Sequence, residues 1–149
     1  GFGDFEGDGD CIMFVTDARS AKVDDIKYGP RVELCWYLAK TREQFRISGE
    51  AKVISGDTAD ANLQEKRNIM WRDNISPAMK SSFAQAKPGA KKGILNSSSE
   101  SEISQHRPLD SFLLGYIIVN HMDRLDLYAN IRERYLLESP QWLVESINP

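Results

Sequence analysis

The chain has 149 residues, with 19 lysines and arginines, 22 aspartates and glutamates, and a formal net charge of −3. This length favours a single domain, and the near balance of charge does not support nucleic acid or an anionic membrane as the main partner. No run of about 18 apolar residues occurs, so we expect no transmembrane helix. The Gly/Asp-rich start lacks the basic and apolar regions of a signal peptide, which favours a cytoplasmic protein.

The first thirty residues predict a loop, a strand and a short helix. Residues 1–10 are rich in glycine and aspartate, as loops are, and Cys11–Thr16 is a continuously apolar run typical of a buried strand. A two-turn helix is predicted over Ser20–Tyr28, with Ser20 as its N-cap and Gly29-Pro30 as its stop signal. Its Val23 and Ile26 would face the core.

Two alternating runs predict a β-hairpin in the middle of the first half. Val32–Leu38 and Gln44–Ile54 both alternate apolar and polar side chains with a period of two, as half-buried strands do. The five residues between them have a length that hairpin connections commonly have. Cys11 and Cys35 lie in strand-like runs without a CxxC spacing, so we expect two reduced core cysteines.

Two helices and a polar segment follow the hairpin. Asp57 or Thr58 could cap a helix over Ala59–Arg72, and Ser76-Pro77 is a strong helix start. Residues 87–108 are polar and rich in serine and lysine, so we expect a mobile insertion there. Further short strands are predicted at Phe112–Val119, Arg124–Tyr128, Arg134–Leu137 and Trp142–Val144. About six strands joined by short links favour an antiparallel barrel or sheet with peripheral helices.

The start of the first predicted helix could bind an anion. Unpaired amides and the helix dipole at Ser20–Lys22 suit a phosphate, to which Ser20 and Lys22 would add a hydroxyl donor and a cation. An ordinary capped surface helix explains the same residues. Gln44 begins a strand on its polar side, and its amide could meet the mixed donor and acceptor edge of a flavin ring; a polar residue at a hairpin end is the alternative.

Few residues suggest acid–base or metal chemistry. His106 falls in the polar segment, and His121 is predicted in a turn beside Asn120. No metal-ligand spacing occurs, so a zinc site is not expected. The sequence also lacks a nucleophile elbow, a P-loop and a dinucleotide-binding glycine motif, so the catalytic residues stay unassigned.

Three blocks of the sequence form one pattern: FVTDARSAKVDDI at 14–26, RVELCWYLAKTREQFRISGEA at 31–51 and RLDLYANIRERYL at 124–136. Together they resemble the FMN-binding split-barrel family of pyridoxamine 5′-phosphate oxidase, in its mostly uncharacterised cyanobacterial and eukaryotic branch. The resemblance implies a mainly β fold: a six-stranded antiparallel split barrel with peripheral helices. It also implies a homodimer that binds FMN at its interface and acts as an oxidoreductase on an unassigned substrate.

The resemblance also implies which residues hold the cofactor. Val15 and Thr16 match a strand end that touches FMN, and Lys22 matches a lysine that contacts the FMN phosphate, beside the hydroxyl of Ser20 at the predicted helix start. Gln44 matches a glutamine that hydrogen-bonds the cofactor. Tyr128 stands where the oxidase has a tryptophan beside the flavin, and Arg134 matches an arginine directed toward the cofactor.

Several positions depart from the oxidase pattern. Ala21 replaces a cation that follows the serine. The oxidase's Arg-Leu-His-Asp-Arg, which orients the pyridoxal substrate, is here residues 130–134 with only Arg134 retained. Its Tyr-x3-Arg-x3-Ser phosphate clamp aligns with Arg67, Trp71 and Ile75. Oxidation of vitamin B6 phosphates is therefore not expected even if FMN binds.

The resemblance further implies an N-terminal hairpin ahead of Gly1, of which this chain carries only Gly1-Phe2. We expect an incomplete first part of the barrel and an exposed sheet edge. Two alternatives stay open from the residues. One is a non-catalytic dimeric split-barrel module that binds flavin weakly or not at all, and the other is a β-barrel interaction domain unrelated to flavin.

Overall fold

The computed structural model describes residues 2–4, 10–91, 106–138 and 141–149. Within these ranges the chain forms seven strands, three α-helices and one π-helical turn. In chain order the elements are β1 Phe2–Asp4, β2 Asp10–Asp17, α1 Ala21–Tyr28, β3 Arg31–Leu38, β4 Glu43–Ile54, α2 Ala61–Ile69, the π-helical turn Met70–Asn74, α3 Pro77–Ala84, β5 Phe112–Asp126, β6 Ile131–Glu138 and β7 Gln141–Ile147. The mainly β class predicted from the sequence is confirmed.

The strands are hydrogen-bonded in the order β1-β2-β5-β4-β3, and β6 pairs with both β5 and β7. The hairpins β3–β4, β5–β6 and β6–β7 are antiparallel. Among the described residues these pairings follow an open path with a branch at β5, so closure into a barrel stays a prediction. The prediction of a loop over residues 1–10 was wrong in part, because β1 pairs with the start of β2.

Strand β5 is longer than the sequence predicted. Phe112–Val119 and Arg124–Tyr128 were expected as two strands with His121 in a turn, but β5 runs unbroken from Phe112 to Asp126. His121 pairs with Leu136 of β6 in the ladder. Polar residues that usually indicate a turn are accommodated here because the ladder satisfies their backbone groups.

Helices α2 and α3 begin where a capping side chain satisfies their first amides, whereas at the start of α1 the hydroxyl of the predicted cap Ser20 contacts the Thr16 hydroxyl. Asp60, not Asp57 or Thr58, caps α2 by accepting hydrogen bonds from the amides of Asn62 and Leu63 at 2.8 and 3.1 Å. The Thr58 hydroxyl instead accepts a hydrogen bond from the Ser55 amide, in the turn that precedes α2. The predicted start at Ser76-Pro77 is confirmed, since the Ser76 hydroxyl accepts from the Met79 amide at 3.3 Å.

The chain divides into two compact units. The first contains Gly1–Met13, Gly29–Ala51 and Tyr116–Pro149, and the second contains Phe14–Tyr28 and Lys52–Gly115. Single-domain organisation stays a prediction, as does mobility of the segment 87–108, most of which lies outside the described residues. No helix in the described ranges is both long and apolar enough to cross a membrane.

The core of the second unit is aromatic. Trp71 and Phe112 are fully buried, and Phe83 and Ile75 complete the cluster. The ring centroids of Trp71 lie 5.0 Å from Phe112 and 6.1 Å from Phe83, each pair edge-to-face. Edge-to-face pairs at these distances add stability beyond the area that they bury. α1 contributes Val23 and Ile26 as buried residues, as predicted.

In the first unit, the period-two pattern of β4 places Ile47, Gly49 and Ala51 on a buried face, as its alternation predicted. Gly49 lies so close to β5 that an added Cβ would stand 2.1 Å from the Ile118 carbonyl oxygen. The expectation of two core cysteines is half wrong. Cys11 is buried, but Cys35 is exposed on β3 because this strand ends the hydrogen-bonded order.

Candidate functional site

The connection between β2 and α1 gathers groups that can donate to an anion. The hydroxyl oxygens of Thr16 and Ser20 lie 3.3 Å apart, and α1 begins at the next residue, Ala21. The first amides of a helix have no partner within it, and the helix dipole favours negative charge there. Lys22 adds an exposed ammonium in the first turn. This set of donors suits a phosphate group.

Arg19 anchors the same connection. Its Nε and Nη2 donate to the two carboxylate oxygens of Asp17 at 2.9 and 2.6 Å, and its backbone amide donates to Asp17 Oδ1 at 2.8 Å. Nη1 and Nη2 also donate to the carbonyls of Gln85 and Phe83 at 2.8 and 3.0 Å. Arg19 therefore ties the end of β2 to the end of α3. A role for Arg19 was not predicted from the sequence, although the Asp-x-Arg spacing before a helix start is a signal for such a pair.

The Asp17–Arg19 pair also sets the charge of this connection. The side-chain hydrogen bond from Arg19 holds the pKa of Asp17 below its usual range, against the opposing effect of burial. Asp17 is therefore ionised at neutral pH and its charge is compensated by a partner 2.6 Å away. A phosphate at the neighbouring hydroxyls would therefore not meet an unpaired carboxylate at Asp17.

Val15, the first of the predicted cofactor contacts, has a different environment. It is half-buried and packs against the aromatic cluster of the second unit, which contains Trp71 and Phe112. Val15, Thr16, Ser20 and Lys22 all belong to that unit. The structure brings Thr16 and Ser20 into contact and places Lys22 in the adjoining helical turn.

The other three predicted contacts, Gln44, Tyr128 and Arg134, belong to the first unit. Gln44 lies opposite Tyr37 in the β3–β4 ladder and is half-buried. Tyr128 is 84% exposed in the turn that follows β5. The turn before Gln44 and the turn that carries Tyr128 are joined by a hydrogen bond of 3.0 Å from the Leu127 amide to the Arg42 carbonyl.

An ion-pair network supports these two turns. Arg124 donates through Nε and Nη2 to Glu43 Oε1 at 2.8 and 2.6 Å, and through Nη1 to Glu133 Oε2 at 2.7 Å. These hydrogen bonds raise the pKa of Arg124 and lower the pKa of Glu133, whereas the pKa of Glu43 is lowered first by a hydrogen bond from the Thr41 side chain and then by Arg124. Since Glu43 precedes Gln44, the network fixes the start of β4 against β5 and β6.

Arg134 lies in the centre of a three-strand ladder. It stands opposite Asp123 of β5 and Glu145 of β7. Asp123 is itself bound by Arg132, whose Nε and Nη2 approach its carboxylate at 2.9 and 2.5 Å. The hydrogen bond from Arg132 lowers the pKa of Asp123. Arg134 forms no ion pair among the described residues, so its guanidinium can donate hydrogen bonds to an anionic partner.

The positions aligned with the oxidase phosphate clamp do not form a clamp. Trp71 and Ile75 are core residues, and Arg67 is only 4% exposed. Arg67 Nη2 donates to the carbonyls of Leu109 and Phe112 at 2.8 and 2.9 Å. Burial is the largest influence on its pKa, which is lowered. Arg67 therefore anchors the segment that begins β5. In the described ranges no three acidic, histidine or cysteine side chains are grouped to hold a metal ion.

We expect the protein to lose stability in acid because Asp17 and Asp123 both have lowered pKa values in the folded state. Their stabilising contribution is present above the unfolded aspartate pKa of about 4 and is lost as the pH falls through the lower folded values. Urea unfolding at about pH 6 and about pH 3 measures this difference. Asp123→Asn should reduce it, whereas the same change at exposed Asp25 should not. An equal pH dependence in both variants would contradict the assignment.

The chain is similar to known proteins of one family. Residues 1–55 match the family model described as pyridoxamine 5′-phosphate oxidase, FMN-binding domain. The chain is 30% identical over 156 residues to pyridoxine/pyridoxamine 5′-phosphate oxidase 2 of Arabidopsis thaliana, covering 99% of this chain and 77% of that protein. A shorter match, 38% identical over 55 residues, joins 37% of this chain to 26% of the Psychrobacter cryohalolentis pyridoxine/pyridoxamine 5′-phosphate oxidase.

Solved structures agree with the sequence matches. A pyridoxamine 5′-phosphate oxidase-related, FMN-binding protein from Nostoc punctiforme superposes with a TM-score of 0.82 at 35% identity, over 99% of this chain and 78% of that one. PhzG from Burkholderia lata gives a TM-score of 0.67 at 17% identity, over 99% and 72%, which shows a shared fold alone. The chain therefore belongs to the pyridoxamine 5′-phosphate oxidase FMN-binding family.

Proposed function

We propose that this chain binds FMN and acts as an FMN-dependent oxidoreductase, in a homodimer of split barrels with the cofactor at the interface. The observation that carries the proposal is the β2–α1 connection. There the hydroxyls of Thr16 and Ser20 lie 3.3 Å apart beside a helix start, and the carboxylate of Asp17, at the end of β2, is neutralised by Arg19. These residues fall inside the part of the chain that matches the FMN-binding family model.

Each candidate residue has a role that its chemistry suits. Ser20, Thr16 and Lys22 would hold the phosphate of FMN, since a hydroxyl and an ammonium both donate to phosphate oxygens. The Gln44 amide would hydrogen-bond the flavin ring, and the exposed Tyr128 would cover an aromatic face. Arg134 would balance negative charge. Bound FMN supplies the redox chemistry by accepting and returning an electron pair, and the protein supplies position and electrostatics.

The substrate we propose differs from the vitamin B6 phosphates named for the curated relatives. Arg132 stands where the family motif has its histidine, and it is held by Asp123 at 2.5 Å. The next residue, Glu133, is held by Arg124 at 2.7 Å. Both side chains take part in ion pairs within the fold, so neither is arranged to orient a pyridine ring as the oxidase motif does.

We expect Lys22→Ala to raise the dissociation constant for FMN roughly tenfold, because a charge-assisted hydrogen bond to phosphate is lost. Affinity for riboflavin, which lacks the phosphate, should change less than about twofold. Quenching of flavin fluorescence on titration with protein measures both constants. Lys27→Ala, in the last turn of the same helix, is the matched control and should bind FMN as the wild type does. Unchanged FMN affinity in Lys22→Ala would mean that the phosphate binds elsewhere in the protein.

A second candidate, a non-catalytic dimeric module with weak or no flavin, is favoured by the same engaged ion pairs of Arg132 and Glu133. The two candidates differ in flavin reduction. Loss of flavin absorbance on anaerobic mixing with a reduced nicotinamide cofactor would support the oxidoreductase, whereas reduction by pyridoxine 5′-phosphate would contradict the proposed difference in substrate. Stable oxidised flavin, or no bound flavin in a dimeric protein, would support the module.

A further inference from the structure

We propose that Arg19 is a positioning residue for phosphate recognition: it holds the β2–α1 connection in its binding shape and neutralises the carboxylate beside it. This inference rests on the proposed FMN binding and deepens it. Arg19 would not touch the phosphate. It would act through Asp17 and through the backbone at the end of α3.

The geometry fixes Arg19 from two sides. The carboxylate of Asp17 receives three hydrogen bonds from Arg19, one from the backbone amide and two from the guanidinium. The other side of the guanidinium donates to the carbonyls of Phe83 and Gln85. Such a planar fork loses little freedom for each bond that it forms. The backbone of residues 17–20 is thereby tied to a helix 64 positions along the chain.

The two hydroxyls depend on this anchor. Thr16 precedes Asp17 and Ser20 follows Arg19, so the anchored pair lies between the two side chains whose oxygens approach to 3.3 Å. The Ser20 amide also donates to the Asp17 carbonyl at 3.0 Å, and the Val23 amide donates to the Ser20 carbonyl at 3.1 Å. Without Arg19 this turn would be more flexible. Phosphate binding would then have to order the turn, and the entropy cost of that ordering would weaken the affinity for phosphate.

The second effect is electrostatic. Asp17 is 9% exposed, and a nearly buried carboxylate without a partner would repel a phosphate nearby. Arg19 removes that repulsion without supplying a free cation, because its charge is paired with Asp17 and its Nη1 and Nη2 also donate to the Gln85 and Phe83 carbonyls. The phosphate charge would therefore rest on Lys22 and the helix start. The absence of the family's second cation at Ala21 makes this dependence greater.

The test uses FMN and riboflavin as paired ligands for the full chain. Arg19→Gln should raise the dissociation constant for FMN roughly tenfold and change that for riboflavin by less than about twofold. The double variant Asp17→Asn/Arg19→Gln should recover part of the FMN affinity, because it removes the unpaired charge. Arg46→Gln, which breaks the exposed pair of Arg46 with Glu33 in the first unit, is the control and should leave both constants unchanged.

An equal loss of FMN and riboflavin affinity in Arg19→Gln would overturn the proposal, since it would indicate general destabilisation. Unchanged FMN affinity would overturn it as well. If Arg19→Gln does not fold, Arg19→Lys carries the same comparison, because it keeps the charge but loses the fork to the two carbonyls. Its FMN-to-riboflavin affinity ratio should fall, and an unchanged ratio would count against the positioning role.

Hydrogen exchange separates this proposal from the proposed function. In the flavin-free protein, Arg19→Gln, or Arg19→Lys if the glutamine variant does not fold, should speed exchange of the Ser20 and Val23 amides roughly tenfold, since their hydrogen bonds lie in the anchored turn. If the wild type binds no FMN but this exchange effect is present, the FMN proposal fails and the anchoring role stands. Unchanged exchange would show that Arg19 does not hold the turn.

Discussion

Gly49→Ala is expected to destabilise the protein by about 3 kcal/mol, the upper part of the usual range for overpacking. A Cβ at this position would lie 2.1 Å from the Ile118 carbonyl oxygen and 2.9 Å from the Ile118 carbonyl carbon and Ile117 Cγ2. Two of these three atoms are backbone, so they cannot rotate away as the end of a flexible side chain does. Relief requires β4 and β5 to separate, which would stretch the ladder between them.

Urea unfolding followed by circular dichroism measures this change. Gly29→Ala is the matched control, because a Cβ at Gly29 would meet nothing within 4 Å. It should change the free energy of unfolding by less than about 0.5 kcal/mol. A Gly49→Ala protein as stable as the control would mean that β4 and β5 do not approach as closely as described.

Trp71→Ala is expected to cost about 4 kcal/mol, as large-to-small changes of buried aromatic residues do. The indole is fully buried and meets Phe112 and Phe83 edge-to-face. Trp71 aligns with the arginine of the oxidase phosphate clamp, as a departure from that pattern, and a residue that served a ligand site there would affect ligand affinity more than stability. The free energy of unfolding therefore distinguishes the two roles.

Trp36→Ala is the matched control for Trp71→Ala, because it removes the same side chain from an exposed position. Trp36 is 49% exposed on β3, so its loss should cost about 1 kcal/mol or less. Chemical unfolding of the two variants under one condition gives the difference directly. Equal stability of the Trp71 and Trp36 variants would contradict the assignment of Trp71 to the core.

Local patterns in the sequence predicted the elements that depend on neighbouring residues. The period-two run of β4 placed Ile47 and Ala51 inside, and the helical spacing of Val23 and Ile26 buried them on α1. Both patterns arise from geometry within one element, where the periodicity of the backbone decides which side chains share a face.

Features that depend on distant partners could not be predicted in the same way. The unbroken β5 needs a ladder with β6 to accept His121. Arg124 binds Glu43 across 81 positions of the chain, and no local spacing announces such a pair. Cys35 was placed in the core because its run is apolar, but only the strand order shows that, in the part of the chain that the structure describes, β3 pairs with β4 alone.

The residues of the candidate site also differ in whether they depend on neighbouring or on distant partners. The start of α1 beside Ser20 could be predicted because helix-start signals are local, and the contact between Thr16 and Ser20 spans four residues. The contribution of Arg19 could not be predicted in full, since its carbonyl partners lie on α3. For all seven predicted positions, contact with a cofactor stays a prediction.

Titration of FMN with the full chain tests the central claim most directly. We expect saturable quenching of flavin fluorescence at a stoichiometry of one FMN per chain, with FMN bound more tightly than riboflavin because the β2–α1 connection recognises the phosphate. The same samples should show flavin absorbance in the near ultraviolet and blue after gel filtration. No saturable binding, or equal affinity for FMN and riboflavin, would contradict a phosphate-binding role for this connection.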